Sequence, residues 1–166
     1  MSIEDPAFQH AEAIYNQVSD SNRAWFNTDV FDAHSQLQGE ISAMATVGVG
    51  NEPILGIDTV IGNIEEDDTS VEVVIVTANR IIRLHTDAGE TPRMDVYPRT
   101  AVRRVRVFQV PDLLADSLYA RRGITRFEAA LDDGTTLKFA SDQASRDTQQ
   151  QRGDLLTSLL ADLSSK

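Results

Sequence analysis

The first third of the chain carries apolar residues at helical spacing. A helix is predicted from about residue 6 to residue 26, because Asp5 and Pro6 form a favourable helix start. The members of its apolar face recur three or four positions apart: Phe8, Ala11, Tyr15, Val18, Asn22 and Trp25. A second helix is predicted from about residue 32 to residue 46, with Leu37, Ile41 and Met44 on one side. The glycine-rich stretch that follows ends it.

From Ile54 onward the pattern changes to the alternation that is typical of β-strands. Seven strands are predicted, at 54–64, 70–77, 80–85, 93–97, 101–110, 124–131 and 135–140. The run SVEVVIVT places Val71, Val73 and Ile75 on one face and Glu72 on the other. The last two strands form a hairpin, because Asp132-Asp133-Gly134 tolerates positive φ. Residues 112–122 are compatible with either a short helix or a loop.

A closing helix is predicted between residues 142 and 163. Its apolar stripe consists of leucines: Leu155, Leu156, Leu159, Leu160 and Leu163. The predicted fold class is therefore α+β, with an antiparallel β-core of about seven strands closed by a C-terminal helix. Residues 1–50 form an N-terminal helical extension and residues 51–166 form the β-domain.

Length and composition narrow the class of protein. A chain of 166 residues has the length of one domain and can bury a core without cross-links. The absence of cysteine excludes disulfides and suits a reducing cytoplasm, which is the predicted location. The N-terminus has no apolar stretch of the signal-peptide kind, and the apolar runs are too short to span a membrane.

The net charge of −11 is distributed unevenly. Residues 1–79 contain 14 acidic residues and a single basic one, Arg23, whereas residues 80–126 contain ten arginines and five acidic residues. Such segregation has two explanations. Either the two regions pack together and neutralise one another, or the arginines form a surface for an anionic partner. The first interpretation is favoured.

Three runs of residues in the β-region resemble the bacterial pleckstrin-homology-like domains. These runs are 73–82 (VVIVTANRII), 94–105 (MDVYPRTAVRRV) and the hairpin at 133–139 (DGTTLKF). The resemblance covers about residues 54–163 and implies a barrel that a terminal helix closes. Domains of this family mostly bind proteins, peptides or lipids, so the resemblance implies a binding module without fixing its partner.

The sequence offers no catalytic, cofactor or metal motif. The loop Glu65-Glu66-Asp67-Asp68 would repel the phosphates of an inositol lipid, so no membrane lipid is expected as a ligand. The histidines, His10, His34 and His85, are scattered without the spacing of zinc ligands and are expected at surfaces or interfaces. Gly48-Val49-Gly50 lacks the third glycine of a dinucleotide site, and no nucleophile elbow is present.

Four arginines in and just before the fifth strand are the candidate anion or partner site: Arg99, Arg103, Arg104 and Arg106. Nucleic acid is not expected, because the chain has a pI near 4.6 and few aromatic residues accompany the arginines. Ion pairs with the acidic residues 1–79 are the favoured role, and an external anion site is the alternative.

These observations predict a non-catalytic binding or scaffold module whose partner is another protein or a second copy of the chain. The alternative is a small-ligand-binding protein or an enzyme whose site is assembled from scattered polar residues. A deep pocket with converging, desolvated polar groups would favour the alternative, and a filled core would favour the binding module.

Overall fold

The computed structural model describes residues 5–26, 36–62, 70–86, 90–111 and 124–165. The α-helices are α1 (Pro6–Ser21), α2 (Leu37–Val49) and α3 (Arg146–Ser164), with 3₁₀ turns at Arg23–Phe26 and Arg99–Ala101. The strands are β1 (Ile54–Gly62), β2 (Ser70–Thr77), β3 (Arg80–Thr86), β4 (Arg93–Pro98), β5 (Val102–Gln109), β6 (Arg126–Leu131) and β7 (Thr136–Phe139). The acidic loop 65–68 and the segment 112–122 lie outside the described residues. None of the described helices is long and apolar enough to cross a membrane.

The seven strands form two antiparallel sheets. One has four strands in the order β1-β2-β3-β4 and the other has three in the order β5-β6-β7. The α+β class and the C-terminal helix are confirmed. No ladder joins the two sheets within the described parts of the chain, so the closed barrel that the sequence predicted is not found.

The four-stranded sheet is buried on both faces. On one face Val71, Val73 and Ile75 pack against α1 and α2, in a cluster that includes Ile14, Val18, Trp25 and Ile41. On the other face Val74 and Val76 pack toward the three-stranded sheet. This two-sided burial explains why β2 reads as a nearly continuous apolar run rather than a strict alternation.

The second cluster lies between the two sheets and α3. Phe127 and Phe139 stack there with ring centroids 4.6 Å apart, and Leu155, Leu156 and Leu159 cover them. Leu155 packs on Gly56 of β1, where a Cβ atom would lie 3.1 Å from the Cβ of Leu155. The predicted leucine stripe is wrong at one position, because Leu160 is 43% exposed.

Helix α1 ends five residues earlier than predicted. Asn22 leaves the helical conformation and donates from Nδ2 to the carbonyl of Thr59 at 2.8 Å, which fastens the helix end to β1. Trp25 then lies fully buried in the 3₁₀ turn, as its expected packing role requires. Phe8 departs from the prediction, since it stays 48% exposed while Ile14 and Val18 form the buried face.

Glu52 joins the segment after α2 to the β2–β3 hairpin. Its carboxylate accepts from the hydroxyl of Thr77 at 2.6 Å, the backbone N–H of Asn79 at 3.2 Å and Nε of Arg80 at 2.9 Å. These hydrogen bonds, led by that of Thr77, lower the pKa of Glu52 from 4.5 to about 2. The ionised carboxylate is therefore the form that the fold stabilises.

We expect replacement of Glu52 by glutamine to destabilise the protein at pH 7 and to matter less as the pH falls. The folded-state pKa lies below the unfolded value, so the stabilisation is complete above about 4.5 and is lost as the pH falls toward 2. Urea unfolding of both proteins at pH 7, 5, 4 and 3.5 measures the difference. A difference in unfolding free energy that stays constant across this range would contradict the assignment.

Candidate functional site

Strand β5 forms one edge of the three-stranded sheet. Within the described chain its single hydrogen-bonded neighbour is β6. Val105 lies opposite the buried Ala129 and packs against the second cluster, whereas Val107, opposite Phe127, is 42% exposed. The alternate residues Arg104 and Arg106 point to the outer face, as the sequence alternation predicts. We call Arg103, Arg104 and Arg106 the arginine surface.

The arginine surface is exposed and only weakly neutralised. Arg106 contacts its cross-strand partner Glu128 at 3.3 Å, and Arg103 contacts Asp132 at 3.5 Å. Both arginine side chains are more than half exposed. Arg104 makes no ion pair with any residue that the structure describes. Exposed pairs of this kind contribute about 0–1 kcal/mol to stability, which leaves the arginines available to another anion.

Arg99 belongs to a different environment from the other three candidates. It lies in the turn before β5, and its side chain is only 10% exposed. Nε donates to Asp162 at 2.6 Å, and the guanidinium also donates to Ser158, so Arg99 joins this turn to α3. The structure therefore assigns Arg99 to the fold and leaves the arginine surface as the accessible part of the predicted site.

The predicted pairing of these arginines with residues 1–79 is not found among the residues that the structure describes. The acidic partners of Arg99, Arg103 and Arg106 come from residues 128–162 instead. Their identity follows from the β5–β6 register and from the position of α3 beside β5. Other arginines do pair with the acidic region among the described residues: Arg80 and Arg83 of β3 contact Glu52 and Glu72, and Arg152 of α3 contacts Asp58.

Apolar side chains are exposed beside the arginine surface. Val107 and Phe108 lie at the C-terminal end of β5 and Val110 follows the strand, and Phe108 is 60% exposed. The register shifts between Val107 and Gln109, which places Phe108 at the irregularity. Exposed aromatic and arginine side chains in one patch are the composition that is enriched in protein–protein contacts.

A buried ion pair lies in the centre of the molecule. Arg152 of α3 donates to Oδ1 of Asp58 at 2.7 Å, and both side chains are almost fully buried. The other carboxylate oxygen of Asp58 accepts from the backbone N–H groups of Ala140 at 2.8 Å and Ser141 at 3.2 Å. Arg152 also donates to the carbonyls of Thr125 and Ser141 at 3.1 and 3.0 Å. Through these hydrogen bonds the pair connects α3 to β1, to Thr125 just before β6 and to the segment that follows β7.

Burial dominates the electrostatics of this pair. Desolvation raises the pKa of Asp58, against the charge of Arg152 and the N–H groups of Ala140 and Ser141. Desolvation likewise lowers the pKa of Arg152, against the attraction of Asp58. Because Asp58 and Arg152 are enclosed and nearly all their polar atoms are occupied by the protein itself, the geometry indicates a structural role rather than a catalytic one.

Neither Asp58 nor Arg152 was among the residues that the sequence singled out. A signal was present, because Asp58 interrupts the apolar strand ILGIDTVIG and a charge in such a strand requires a buried partner. Arg152 is 94 positions away, in the polar first half of α3, and nothing in the sequence pattern connects the two.

Two concave surfaces are candidates for ligand binding. A cleft of about 520 Å³ lies between the end of β5 and the first half of α3, and its charged lining residues Arg146 and Asp147 are exposed. Ligand sites usually hold converging polar groups away from water, so this cleft does not favour the small-ligand or enzyme alternative. A groove of about 370 Å³ between α1 and α2 is lined almost wholly by apolar surface.

The histidines are separated in the structure as in the sequence. His10 contacts the carbonyl of Gly50 at 2.6 Å, His85 contacts Asp95 at 3.1 Å, and His34 lies outside the described residues. No group of three or more histidine and carboxylate residues within the described ranges is arranged to hold a metal ion.

Comparison with known proteins adds no assignment. The chain matches no protein-family model, no curated protein and no solved structure.

Proposed function

We propose that the chain is a non-catalytic protein-binding module of pleckstrin-homology-like architecture, and that the arginine surface binds an acidic protein segment. Two sheets of four and three antiparallel strands, followed by a helix that packs against both β1 and β5, support this architecture. The runs of residues that resemble the bacterial pleckstrin-homology-like domains lie on these strands.

One observation carries the functional part of the proposal. Arg104 and Arg106 are exposed beside Val107 and Phe108 on an edge strand, and Arg104 has no ion-pair partner among the described residues. The remaining ion pairs of this surface are long and solvated, so they cost little to exchange for an external carboxylate. The chain's net charge of −11 repels a polyanion such as nucleic acid or an anionic bilayer more strongly than a short acidic segment that carries few charges.

The test uses a fluorescein-labelled peptide of alternating glutamate and leucine residues as the probe. We expect it to bind the full chain, and we expect Arg104→Glu/Arg106→Glu to weaken binding by about tenfold or more, since like charges then face the peptide. Fluorescence anisotropy gives the affinity. Raising the salt concentration should weaken wild-type binding, because the contact lies at the surface.

Two controls make the result specific to the arginine surface. Arg93→Glu reverses an arginine on β4 whose side chain is 70% exposed, compared with 55% for Arg106, and should leave binding unchanged. A peptide of alternating glutamine and leucine residues should not bind detectably. If wild type and the double variant bind the acidic probe equally, the proposed site is wrong. The melting temperature should change little in either variant, which separates lost binding from lost folding.

A further inference from the structure

The groove between α1 and α2 is an apolar surface with an acidic rim. Phe8, Ala11 and Tyr15 line it from α1, and Ala43 lines it from α2. Phe8 is 48% exposed, and Val47, one turn beyond Ala43, is 73% exposed. Glu12 lies in the wall of the groove, and the exposed Glu40 follows the lining residue Gly39 on α2, whereas neither helix contains a lysine or an arginine.

The end of β5 has the complementary composition. Val107, Phe108 and Val110 are exposed there, and Arg104 and Arg106 precede them in the chain on β5. An aromatic side chain rimmed by cations fits an apolar groove rimmed by carboxylates, because burial of the apolar groups and charge complementarity act in the same direction.

The two surfaces cannot meet within one molecule. Helices α1 and α2 pack on one face of the four-stranded sheet, and the three-stranded sheet packs on the other, so the groove and β5 lie on opposite sides. A symmetric contact between two β5 strands would bring arginines against arginines. A symmetric contact between two grooves would bring Glu12 and Glu40 against the same residues of the other copy. Both are opposed by like charge, and a head-to-tail contact is not.

From this complementarity we infer that the partner of the arginine surface is a second copy of the chain, which receives Phe108 in the groove between its α1 and α2. The inference rests on the proposed function and names its partner. Because the contact joins two different surfaces, each added copy leaves one free groove and one free β5 end, and assembly continues into a ring or a filament.

The experiment uses two charge-reversal variants of the full chain. Arg104→Glu/Arg106→Glu reverses the charge of the arginine surface. Glu12→Lys/Glu40→Lys reverses the charge at the rim of the groove between α1 and α2. Sedimentation velocity over a range of concentrations should show mass above the monomer for wild type and monomer for each variant alone. An equimolar mixture of the two variants should assemble beyond the heterodimer with the two chains alternating, because Arg104 and Arg106 of one variant meet the acidic groove of the other and the introduced glutamates meet the introduced lysines. Combining all four substitutions in one chain should restore assembly, and Arg93→Glu should assemble like wild type.

Each other outcome overturns the inference. A wild-type chain that stays monomeric at near-millimolar concentration has no such contact. Assembly that survives either double variant uses other surfaces, and variants that fail to associate on mixing contradict a contact between the arginine surface and the groove. If the acidic peptide still binds wild type and not Arg104→Glu/Arg106→Glu, the proposed function stands and its partner is a different protein. Cooperative melting of each variant at the wild-type temperature shows that the fold is intact.

Discussion

Replacing Arg152 by methionine is expected to lower the free energy of unfolding by about 3–5 kcal/mol, because it leaves the carboxylate of Asp58 buried without its cation. Two backbone N–H groups would still face that carboxylate, but they cannot neutralise it. Urea unfolding at pH 7 measures the loss. Arg152→Lys retains the positive charge but loses the several N–H donors of the guanidinium. It should therefore lower the free energy of unfolding by less than Arg152→Met does.

The pH dependence of the methionine variant tests the mechanism. Desolvation already raises the pKa of Asp58, and removal of Arg152 raises it further. The folded state then binds a proton more tightly than the unfolded state, so the unfolding free energy of the variant rises as the pH falls from 7 toward 4. Its deficit relative to wild type should therefore shrink in acid. A deficit that is independent of pH would indicate lost packing rather than an unpaired charge.

A double-mutant cycle separates the charge from the hydrogen bonds. Asparagine at position 58 keeps an oxygen that can accept from Ala140 and Ser141, and it carries no charge. The loss of unfolding free energy in Asp58→Asn/Arg152→Met should therefore be smaller than the sum of the losses in the two single variants, by about 1–3 kcal/mol. Strict additivity would show that Asp58 and Arg152 do not stabilise one another.

Local chemistry allowed the hairpins to be predicted from the sequence. Gly134 has a φ of +89°, and Asp133 accepts from the N–H of Thr135 at 2.8 Å, so the β6–β7 turn is determined by adjacent residues. The same holds for the start of α1, where the Asp5 side chain accepts from Ala7. At these places the predicted strand and helix boundaries lie within a few residues of the observed ones, because the residues that determine each boundary are adjacent in the sequence.

The sequence could not give features that depend on which elements become neighbours. The sequence places Glu72 on one face of β2, and the structure shows that Val74 and Val76 on that same face are buried against the second sheet. The charge asymmetry suggested long-range pairing of the arginines, whereas Arg106 pairs with Glu128 directly across the ladder. Total charge constrains the overall field of a protein, but strand register determines which side chains touch.

Termination of the chain after Arg152 is expected to give unfolded or insoluble protein. It removes the leucines that cover the second cluster, Leu155, Leu156 and Leu159, and it deletes Asp162, the partner of Arg99. Loss of one buried leucine side chain typically costs about 2–5 kcal/mol, and the whole domain is stabilised by only about 5–15 kcal/mol. Circular dichroism and urea unfolding of the shortened chain measure the outcome, and a cooperative transition at the wild-type midpoint would contradict it.

Two neighbouring leucines provide the matched test in the full-length chain. Leu159 is 1% exposed and Leu160 is 43% exposed, although they are adjacent in α3. We expect Leu159→Ala to lower the unfolding free energy by about 2–5 kcal/mol, through lost burial and the cavity it leaves. Leu160→Ala has the same change in helix propensity and should cost about 0.5 kcal/mol or less, because it is a surface substitution. Equal losses would mean that α3 does not present Leu159 to the core, and the helix would then have to be rotated or detached from the two sheets.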